Sequence, residues 1–196
     1  TPVTGALHEI GPLKIREIST DSTARVRFAA ALIEFHYLGH RGTVGENLQY
    51  MVTTESGRLL AGLLFGSAAW QCKPRDGFIG WNPQQRRRNL HRVTNNTRFL
   101  ILPWIRSENV ASKILALTTR QLPNDWQNRY HYRPRLLETF VEKDRFTGAC
   151  YRAANWLHVG QTQGRGKLGP SGKQSVPIKD VWLYPLEKRF RDGLVR

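Results

Sequence analysis

The sequence predicts an α/β protein in which helices flank one mixed β-sheet, and two observations carry that prediction. Segments with strand-like alternation and segments with helical periodicity follow one another in the order β, α, βββ, α, β, α, β. Apolar residues make up 40% of the 196 residues, and they include 6 Trp, 6 Tyr and 8 Phe. This is enough apolar matter for a core, so a disordered basic protein such as a histone tail is excluded.

The first third of the chain is predicted to contain a strand, a helix and a hairpin. The alternating residues 13–18 favour a strand, and residues 19–22 supply the cap of a helix that continues to about Tyr37. Two apolar runs at residues 48–53 and 59–65 are separated by Glu-Ser-Gly, which is typical of a β-hairpin.

The middle of the chain is predicted to contain the centre of the sheet and a long helix. Residues 78–81 favour a short strand or turn, and the apolar residues 98–104 have the composition of a central strand. Residues 109–122 place apolar side chains at helical spacing, and we expect Pro123 to end this helix because it lacks a backbone donor. A strand, a short helix and a further strand are predicted at residues 136–141, 148–156 and 157–159.

The composition changes after residue 160. Residues 161–175 are rich in glycine and basic side chains and are predicted as a loop, whereas residues 181–186 favour a last strand. We therefore expect an α/β domain at residues 1–159. Residues 160–196 then form a basic C-terminal extension, whose glycine-rich loop and terminal strand pack on the same domain.

Several classes of protein are not expected from this sequence. Its apolar runs fall short of the roughly 20 residues needed to cross a bilayer, so no membrane partner is predicted. Cys72 and Cys150 lie far apart in the sequence, which favours two free thiols over a disulfide framework. The histidines at positions 36 and 40 have the spacing of metal ligands, but nearby glycines indicate that the helix ends there, and no metal is predicted.

The start of the chain bears on its cellular compartment. The chain begins at Thr1 and shows no basic-then-apolar leader, so we expect a fragment of a longer protein that stays in the cytoplasm, associated with the nucleoid.

The positive charge predicts nucleic acid as a partner, with DNA favoured over RNA. Lys and Arg number 30 against 15 Asp and Glu, a formal net charge of +15, and eleven basic but only two acidic residues lie between positions 84 and 135. An arginine-rich surface that only maintains solubility is the alternative. The triple arginine at 86–88 is interpreted as a phosphate-contacting loop. The candidate nucleic-acid contacts are Arg86, Arg87, Arg88, Asn95, Asn96, Arg129, Arg133, Asn155, Trp156 and Arg165.

The segment after the central strand predicts an anion site, because a strand-turn-helix junction points backbone N–H groups at one place. Arg106-x-x-Asn109-x-Ala111-Ser112 resembles the pyrophosphate loop of the GNAT-type acyltransferases, with Asn109 where that family has Gly. Asn tolerates the left-handed backbone that this position requires. The resemblance implies acetyl-CoA or a related acyl-CoA held by these four residues. An ordinary helix start, capped by Ser107 or Asn109, is the alternative.

Three residues are candidates for proton transfer. The order of strand and helix after the long helix is that of GNAT-type folds, and the resemblance implies Tyr151 as the general acid that protonates a leaving thiolate. Packing of the short helix is an equal alternative for Tyr151. Glu138 lies inside an apolar strand and is a candidate base. Asp76 with Glu138 and Asp125 would suit metal-dependent cutting of DNA, whereas an ion pair with Arg75 is the alternative for Asp76.

Six blocks of sequence carry a wider resemblance. They are His36-Tyr-Leu-Gly-His40, Arg75-Asp-Gly-Phe-Ile-Gly-Trp81, Asn95-Asn-Thr-Arg-Phe-Leu-Ile-Leu-Pro-Trp104, Leu137-Glu-Thr-Phe-Val141, Tyr151-Arg-Ala-Ala-Asn-Trp156 and Gly160-Gln-Thr-Gln-Gly-Arg-Gly166. Together they resemble the DruA family of the Druantia anti-phage systems, which also occurs near or fused to transposases. This resemblance covers residues 11–186 and implies phage defence or mobile DNA.

The block Tyr151-x-Ala-x-Asn155-Trp156 is also similar to the Mom family of phage DNA-modifying enzymes, which have a GNAT-like fold and alter adenine. That similarity implies transfer of a small group to a nucleobase taken out of the stack. Trp81, Trp126 or Trp156 would then hold the base.

These observations predict a GNAT-like, DNA-binding protein of anti-phage defence or mobile elements that transfers a small acyl-type group to a nucleobase. The alternative is a non-catalytic or nucleolytic DNA-recognition subunit that works with a helicase or transposase partner.

Overall fold

A computed structural model describes residues 2–5, 7–165 and 174–196 of the chain. The helices in these residues are α1 Leu7–Ile10, α2 Ser22–Phe35, α3 Lys73–Ile79, α4 Pro83–Asn89, α5 Val110–Tyr130 and α6 Ala149–Ala153. The strands are β1 Val3–Thr4, β2 Lys14–Glu17, β3 Leu48–Thr53, β4 Leu59–Ser67, β5 Val93–Ile101, β6 Ile105–Arg106, β7 Leu136–Glu142, β8 Leu157–Gln161 and β9 Lys179–Pro185.

Seven of these strands form one mixed sheet in the order β2-β3-β4-β5-β7-β9-β8, and β1 pairs with β6 separately. The β3–β4 pair is antiparallel and confirms the predicted hairpin. The β5–β7 pair is parallel, with Val93 opposite Leu136 and Asn95 opposite Glu138. Strand β9 runs antiparallel to both β7 and β8. The predicted α/β class with a mixed, helix-flanked sheet is confirmed.

The chain forms two compact units. Unit 1 comprises Thr1–Ser67 and Asn96–Tyr132, and unit 2 comprises Ala68–Asn95 and Arg133–Arg196. The predicted division into residues 1–159 and 160–196 groups the residues differently from these two units, and it stays a prediction.

In unit 1, α2 packs on β4 through a close approach that requires glycine. The side chain of Asp21 accepts a hydrogen bond from the Ala24 N–H at 2.9 Å, so the predicted cap of α2 is confirmed. Phe28 and Leu32 of α2 are buried. A Cβ on Gly62 would lie 2.9 Å from the Phe28 ring, so the absence of a side chain there lets the helix approach the strand.

The prediction that Pro123 ends the long helix is wrong, because α5 continues through it to Tyr130. A proline inside a helix costs about 3 kcal/mol. Leu122 and Trp126 lie one turn apart on the same face of α5 and are 0% and 1% exposed. Their burial, at about 2 kcal/mol or more for each side chain, offsets the cost of the proline.

In unit 2, the prediction of a strand or turn at residues 78–81 is also wrong. These residues contain the end of α3, which stops at Gly80 in a left-handed conformation with φ 81°. Asn82 then begins α4 with a capping box to Gln85, since Asn82 accepts from the Gln85 N–H and Gln85 accepts from the Asn82 N–H. The triple arginine therefore lies on a helix and not on the predicted loop.

The other boundaries differ by a few residues. Strand β5 begins at Val93 and not at residue 98, and the short helix α6 ends at Ala153 and not at residue 156. Both cysteines are free, as predicted, with Cys72 buried in the core of unit 2 and Cys150 partly buried. None of the helices in the described part of the chain combines the length and apolar character needed to cross a membrane.

Candidate functional site

The turn before α5 in unit 1 has the backbone conformation of a glycine loop. Asn109 has φ 61° and ψ −2°, the left-handed region that glycine occupies most easily. Its carbonyl accepts from the Lys113 N–H at 3.0 Å and from the Ser112 hydroxyl at 3.0 Å. Asn109 therefore starts the helix through its backbone, in the way a glycine would.

The first turn of α5 has no side-chain cap. Within the described residues Asn109 occupies the N-cap position without a side-chain capping bond, and the Ser107 hydroxyl donates to the Glu108 carbonyl, so neither side chain caps the helix. Arg106 and Asn109 are exposed, and Ala111 and Ser112 are partly exposed. Ala111 and Ser112, in the first turn of this 21-residue helix, and Arg106 before it thus reach the surface, where a helix N-terminus and a guanidinium favour a phosphate.

Two of the candidate proton-transfer residues, Glu138 and Asp76, meet in unit 2 at one arginine. Glu138 and Arg75 are both 0% exposed, and Arg75 Nη1 lies 2.8 Å from Glu138 Oε2. The other carboxylate oxygen, Oε1, accepts from the Ala69 N–H at 2.7 Å. Burial raises the pKa of Glu138, and the charge of Arg75 opposes that rise. The carboxylate is thus buried, paired and bonded at both oxygens.

Asp76 is engaged in the same network. Its Oδ1 accepts from Arg75 Nε at 2.9 Å, from Arg75 Nη2 at 2.8 Å and from Trp81 Nε1 at 3.0 Å. Its Oδ2 accepts from Arg86 Nη1 at 3.2 Å. The alternative of an Arg75–Asp76 ion pair is confirmed.

Asp125, the third carboxylate considered for metal-dependent cutting, has hydrogen-bond partners of its own. Asp125 belongs to unit 1, where its Oδ2 accepts from the Tyr50 hydroxyl and from Gln121 Nε2, both at 2.9 Å. Among the described residues, no group of three or more His, Cys, Asp or Glu could hold a metal ion. Asp76 and Glu138 therefore share Arg75, while Asp125 serves a different set of partners.

Tyr151 is buried on α6 in unit 2. It is 7% exposed and packs edge-on against Trp156, with ring centroids 5.1 Å apart. Asn155 lies between them in the sequence, is exposed and has a left-handed φ of 64°. The packing role of Tyr151 is confirmed, and its role as a general acid stays a prediction.

The predicted nucleic-acid contacts fall in both units and differ in exposure. Arg87, Arg88, Arg133 and Arg165 of unit 2 and Arg129 of unit 1 are exposed. Arg86 is partly buried by its pairing with Asp76, and Asn95 is partly buried in β5.

Asn96 is different from these residues, since it is only 3% exposed. Its amide donates to the carbonyls of Leu64 at 3.2 Å and Arg98 at 3.0 Å. These bonds favour a structural role within unit 1.

The tryptophans proposed to hold a flipped base are all buried. Trp81 is 8% exposed, Trp126 is 1% exposed and Trp156 is 3% exposed. Trp70, in contrast, is 58% exposed in unit 2, and the sequence predictions missed it. The available signal was its position beyond the predicted strand at residues 59–65 and next to the polar Gln71.

The fold is that of N-acetyltransferases of known structure. A protein assigned as a phosphinothricin N-acetyltransferase matches with TM-score 0.54 and 14% identity, over 90% of this chain and 100% of its own. Mutant forms of the spermidine/spermine N-acetyltransferase SpeG from Vibrio cholerae match with TM-score 0.57 and 9% identity, over 93% and 99%. A protein from Klebsiella pneumoniae assigned as an acyl-CoA N-acyltransferase matches with TM-score 0.50 and 13% identity, over 89% and 98%. These likenesses show a GNAT fold.

Sequence comparison gives the family. No curated protein sequence matches the chain. Residues 2–180 match the model of the family described as Druantia protein DruA.

Proposed function

This chain belongs to the DruA family, and we propose that it is a DNA-directed transferase of anti-phage defence or mobile elements. In this proposal it binds acetyl-CoA or a related acyl-CoA at the start of α5 and transfers a small acyl-type group to a nucleobase, in the cytoplasm. A helicase or transposase is the expected partner.

One observation carries the proposal: the left-handed Asn109 in front of a long helix whose first turn has no side-chain cap. A β-carbon usually disfavours this backbone conformation, and asparagine is among the residues that tolerate it best. Asn109 therefore has the backbone conformation that suits the glycine of a pyrophosphate loop, although the sequence lacks that glycine. This conformation supports a cofactor here over an ordinary helix start.

The residues at the turn fit the phosphates of a coenzyme A. Arg106 would supply charge, and the backbone N–H groups of Ala111 and Ser112 lie in the first turn of α5, where the helix dipole favours an anion. When bound, an acyl-CoA supplies an acyl group activated as a thioester. The protein's part at this turn is to hold and orient the phosphates.

Proton transfer in the proposal belongs to Tyr151. Tyr151 is buried, and a phenol kept from water keeps its proton on Oη. In this proposal Tyr151 donates that proton to the leaving thiolate. Glu138 and Asp76 already accept hydrogen bonds at both of their oxygens. These bonds favour a positioning role for the two carboxylates over proton transfer or metal-dependent cutting.

The formal charge of +15 supports DNA as the acceptor, because so large an excess attracts a polyanion. The alternative of a DNA-recognition subunit without catalysis rests on the same charge. Cofactor binding separates the two, since only the transferase requires it.

The first experiment is calorimetric titration with acetyl-CoA. We expect the wild-type protein to bind it and Arg106→Ala to bind about tenfold more weakly, since one charge-assisted contact is lost. Arg120→Ala is the matched control, because Arg120 is also exposed but lies within α5, well beyond the start of that helix. It is expected to bind as the wild type does.

The second experiment tests the transfer itself. Duplex and single-stranded DNA are incubated with acetyl-CoA and digested, and the nucleosides are weighed by mass spectrometry. Tyr151→Phe should lower the yield of modified nucleoside without changing the affinity for acetyl-CoA. A wild-type protein that binds DNA but no acetyl-CoA would contradict the transferase and leave the recognition subunit.

A further inference from the structure

Trp70 is an indole exposed to solvent in unit 2. It is 58% exposed, whereas Trp81, Trp126, Trp156 and Trp182 are all below a tenth. A single exposed apolar side chain is common at a protein surface and does not by itself indicate a ligand. The groups around Trp70 therefore decide what its exposed face can bind.

The backbone beside Trp70 is held firmly. The Ala69 N–H donates to Glu138 Oε1 at 2.7 Å, and the Ala69 carbonyl accepts from Arg75 Nη1 at 2.7 Å. Both bonds come from the fully buried Arg75–Glu138 pair. The exposure of Trp70 is thus not the result of a loose segment, because the residue before it is fixed at both of its polar groups.

The guanidinium of Arg86 lies beside the indole. Arg86 Cζ is 5.8 Å from the centre of the Trp70 ring, and Arg86 Nη1 is held by Asp76 at 3.2 Å. Arg87 and Arg88 follow on α4 and are exposed. An aromatic face with cations next to it is the combination that single-stranded nucleic acids use for binding, with bases stacked on the ring and phosphates paired with the cations.

We propose that Trp70 and the arginines of α4 form a binding site for an unpaired nucleotide of DNA, with the base stacked on the indole. The Arg75–Glu138–Asp76 network is then the frame of this site, since it holds Ala69 on one side and Arg86 on the other. These three residues are positioning residues and do not contact the DNA. The inference rests on the proposed function for the choice of DNA, but it does not require a cofactor.

The test measures the binding of fluorescein-labelled oligothymidylate by anisotropy over a range of salt. Trp70→Ala should weaken binding about tenfold, and Trp70→Phe should stay within about threefold of wild type, because phenylalanine keeps a face for stacking. Leu157→Ala is the matched control, since Leu157 is an apolar side chain of unit 2 that is 45% exposed. It should have no effect.

The salt dependence separates stacking from charge. Trp70→Ala should leave the slope of log K against log salt unchanged, whereas Arg87→Ala should reduce it by about 0.7, the value for one phosphate contact on a single strand. Lys143→Ala, which removes an exposed cation on the turn after β7, should leave the slope unchanged. An equal reduction by Lys143→Ala would overturn the role of α4.

Three outcomes would overturn the stacking site. They are wild-type affinity in Trp70→Ala, an equal loss on a fully paired duplex, and a Trp70-dependent loss confined to RNA. Far-UV circular dichroism of each variant checks that the fold is kept. Because Arg106→Ala and acetyl-CoA report on unit 1, failure of the cofactor proposal and failure of this one give different results.

Discussion

The start of α5 in unit 1 and the Arg75–Glu138–Asp76 network in unit 2 use charge in opposite ways. At the start of α5 the guanidinium of Arg106 is exposed and the helix has no side-chain cap. In the network, Arg75 and Glu138 are fully buried and are bonded to one another and to the backbone. The comparison teaches that polar groups available to a ligand are those that the fold leaves without an internal partner, whatever their chemical type.

The largest expected effect comes from breaking the network. Glu138→Ala leaves the buried Arg75 with Asp76 as its remaining carboxylate partner and the Ala69 N–H without its acceptor, and it should lower the free energy of unfolding by about 3 kcal/mol. Urea denaturation measures the loss. Glu142→Ala, on the same strand, removes an ion pair with the half-exposed Arg145 and should cost less than about 1 kcal/mol. A Glu138→Ala protein as stable as the Glu142→Ala protein would show that the network is not a structural frame.

A smaller effect is expected from the backbone at Asn109. A β-branched side chain is poorly tolerated at φ 61°, so Asn109→Val should cost about 1–2 kcal/mol of stability and should weaken acetyl-CoA binding. Asn109→Gly should keep both the stability and the acetyl-CoA affinity of the wild type. Thermal denaturation and calorimetry of the two variants check this, and equal affinity of Asn109→Val and wild type would rule out the turn as the phosphate site.

The smallest effect concerns His36, which is half-buried and so is intermediate between the exposed Arg106 and the buried Arg75. Burial, aided by the charge of Arg98, lowers the pKa of His36 to about 4 from the usual 6.5. Its Nδ1 accepts from the Leu38 N–H at 3.2 Å, which requires a ring without a proton on that atom. The unfolded chain therefore binds this proton more readily than the folded protein does between pH 4 and 6.5.

It follows that the contribution of His36 to stability is fully present above pH 6.5 and is lost as the pH falls from 6.5 to 4. Because the ring is partly exposed, the loss is on the order of 1 kcal/mol. The free energy of unfolding of the wild type, relative to that of His36→Gln, should therefore fall as the pH is lowered from 6.5 to 4. A difference that is the same at pH 7 and pH 4.5 would contradict it.

Much of the fold could be predicted from local sequence. The cap at Asp21, the hairpin of β3 and β4 and the mixed α/β class depend on neighbouring residues and on composition, and all are confirmed. The left-handed backbone at Asn109 is also local, since Asn tolerates it better than most residues. For this reason the short run of residues from Arg106 to Ser112 is enough to indicate the candidate cofactor turn.

The errors arose where distant packing outweighs local preference. Pro123 is a helix breaker by itself, but the burial of Leu122 and Trp126 keeps α5 continuous. The residues at 78–81 look like a strand, but they form the end of α3 and the turn after it, from which Ile79 and Trp81 pack into a core built with distant strands. At these two places the local pattern favoured one structure and burial against distant residues favoured another, and the sequence alone did not show which effect is larger.

By itself, then, the sequence determined the α/β class, the positive charge, the family blocks and the turn before α5, because these depend on composition and on residues near one another in the chain. Only the tertiary structure decided that Glu138 and Asp76 share Arg75, that four of the tryptophans are buried and that Trp70 is exposed. Burial and pairing depend on residues far apart in the sequence, and those properties decide which charges and which aromatic faces remain available to a ligand.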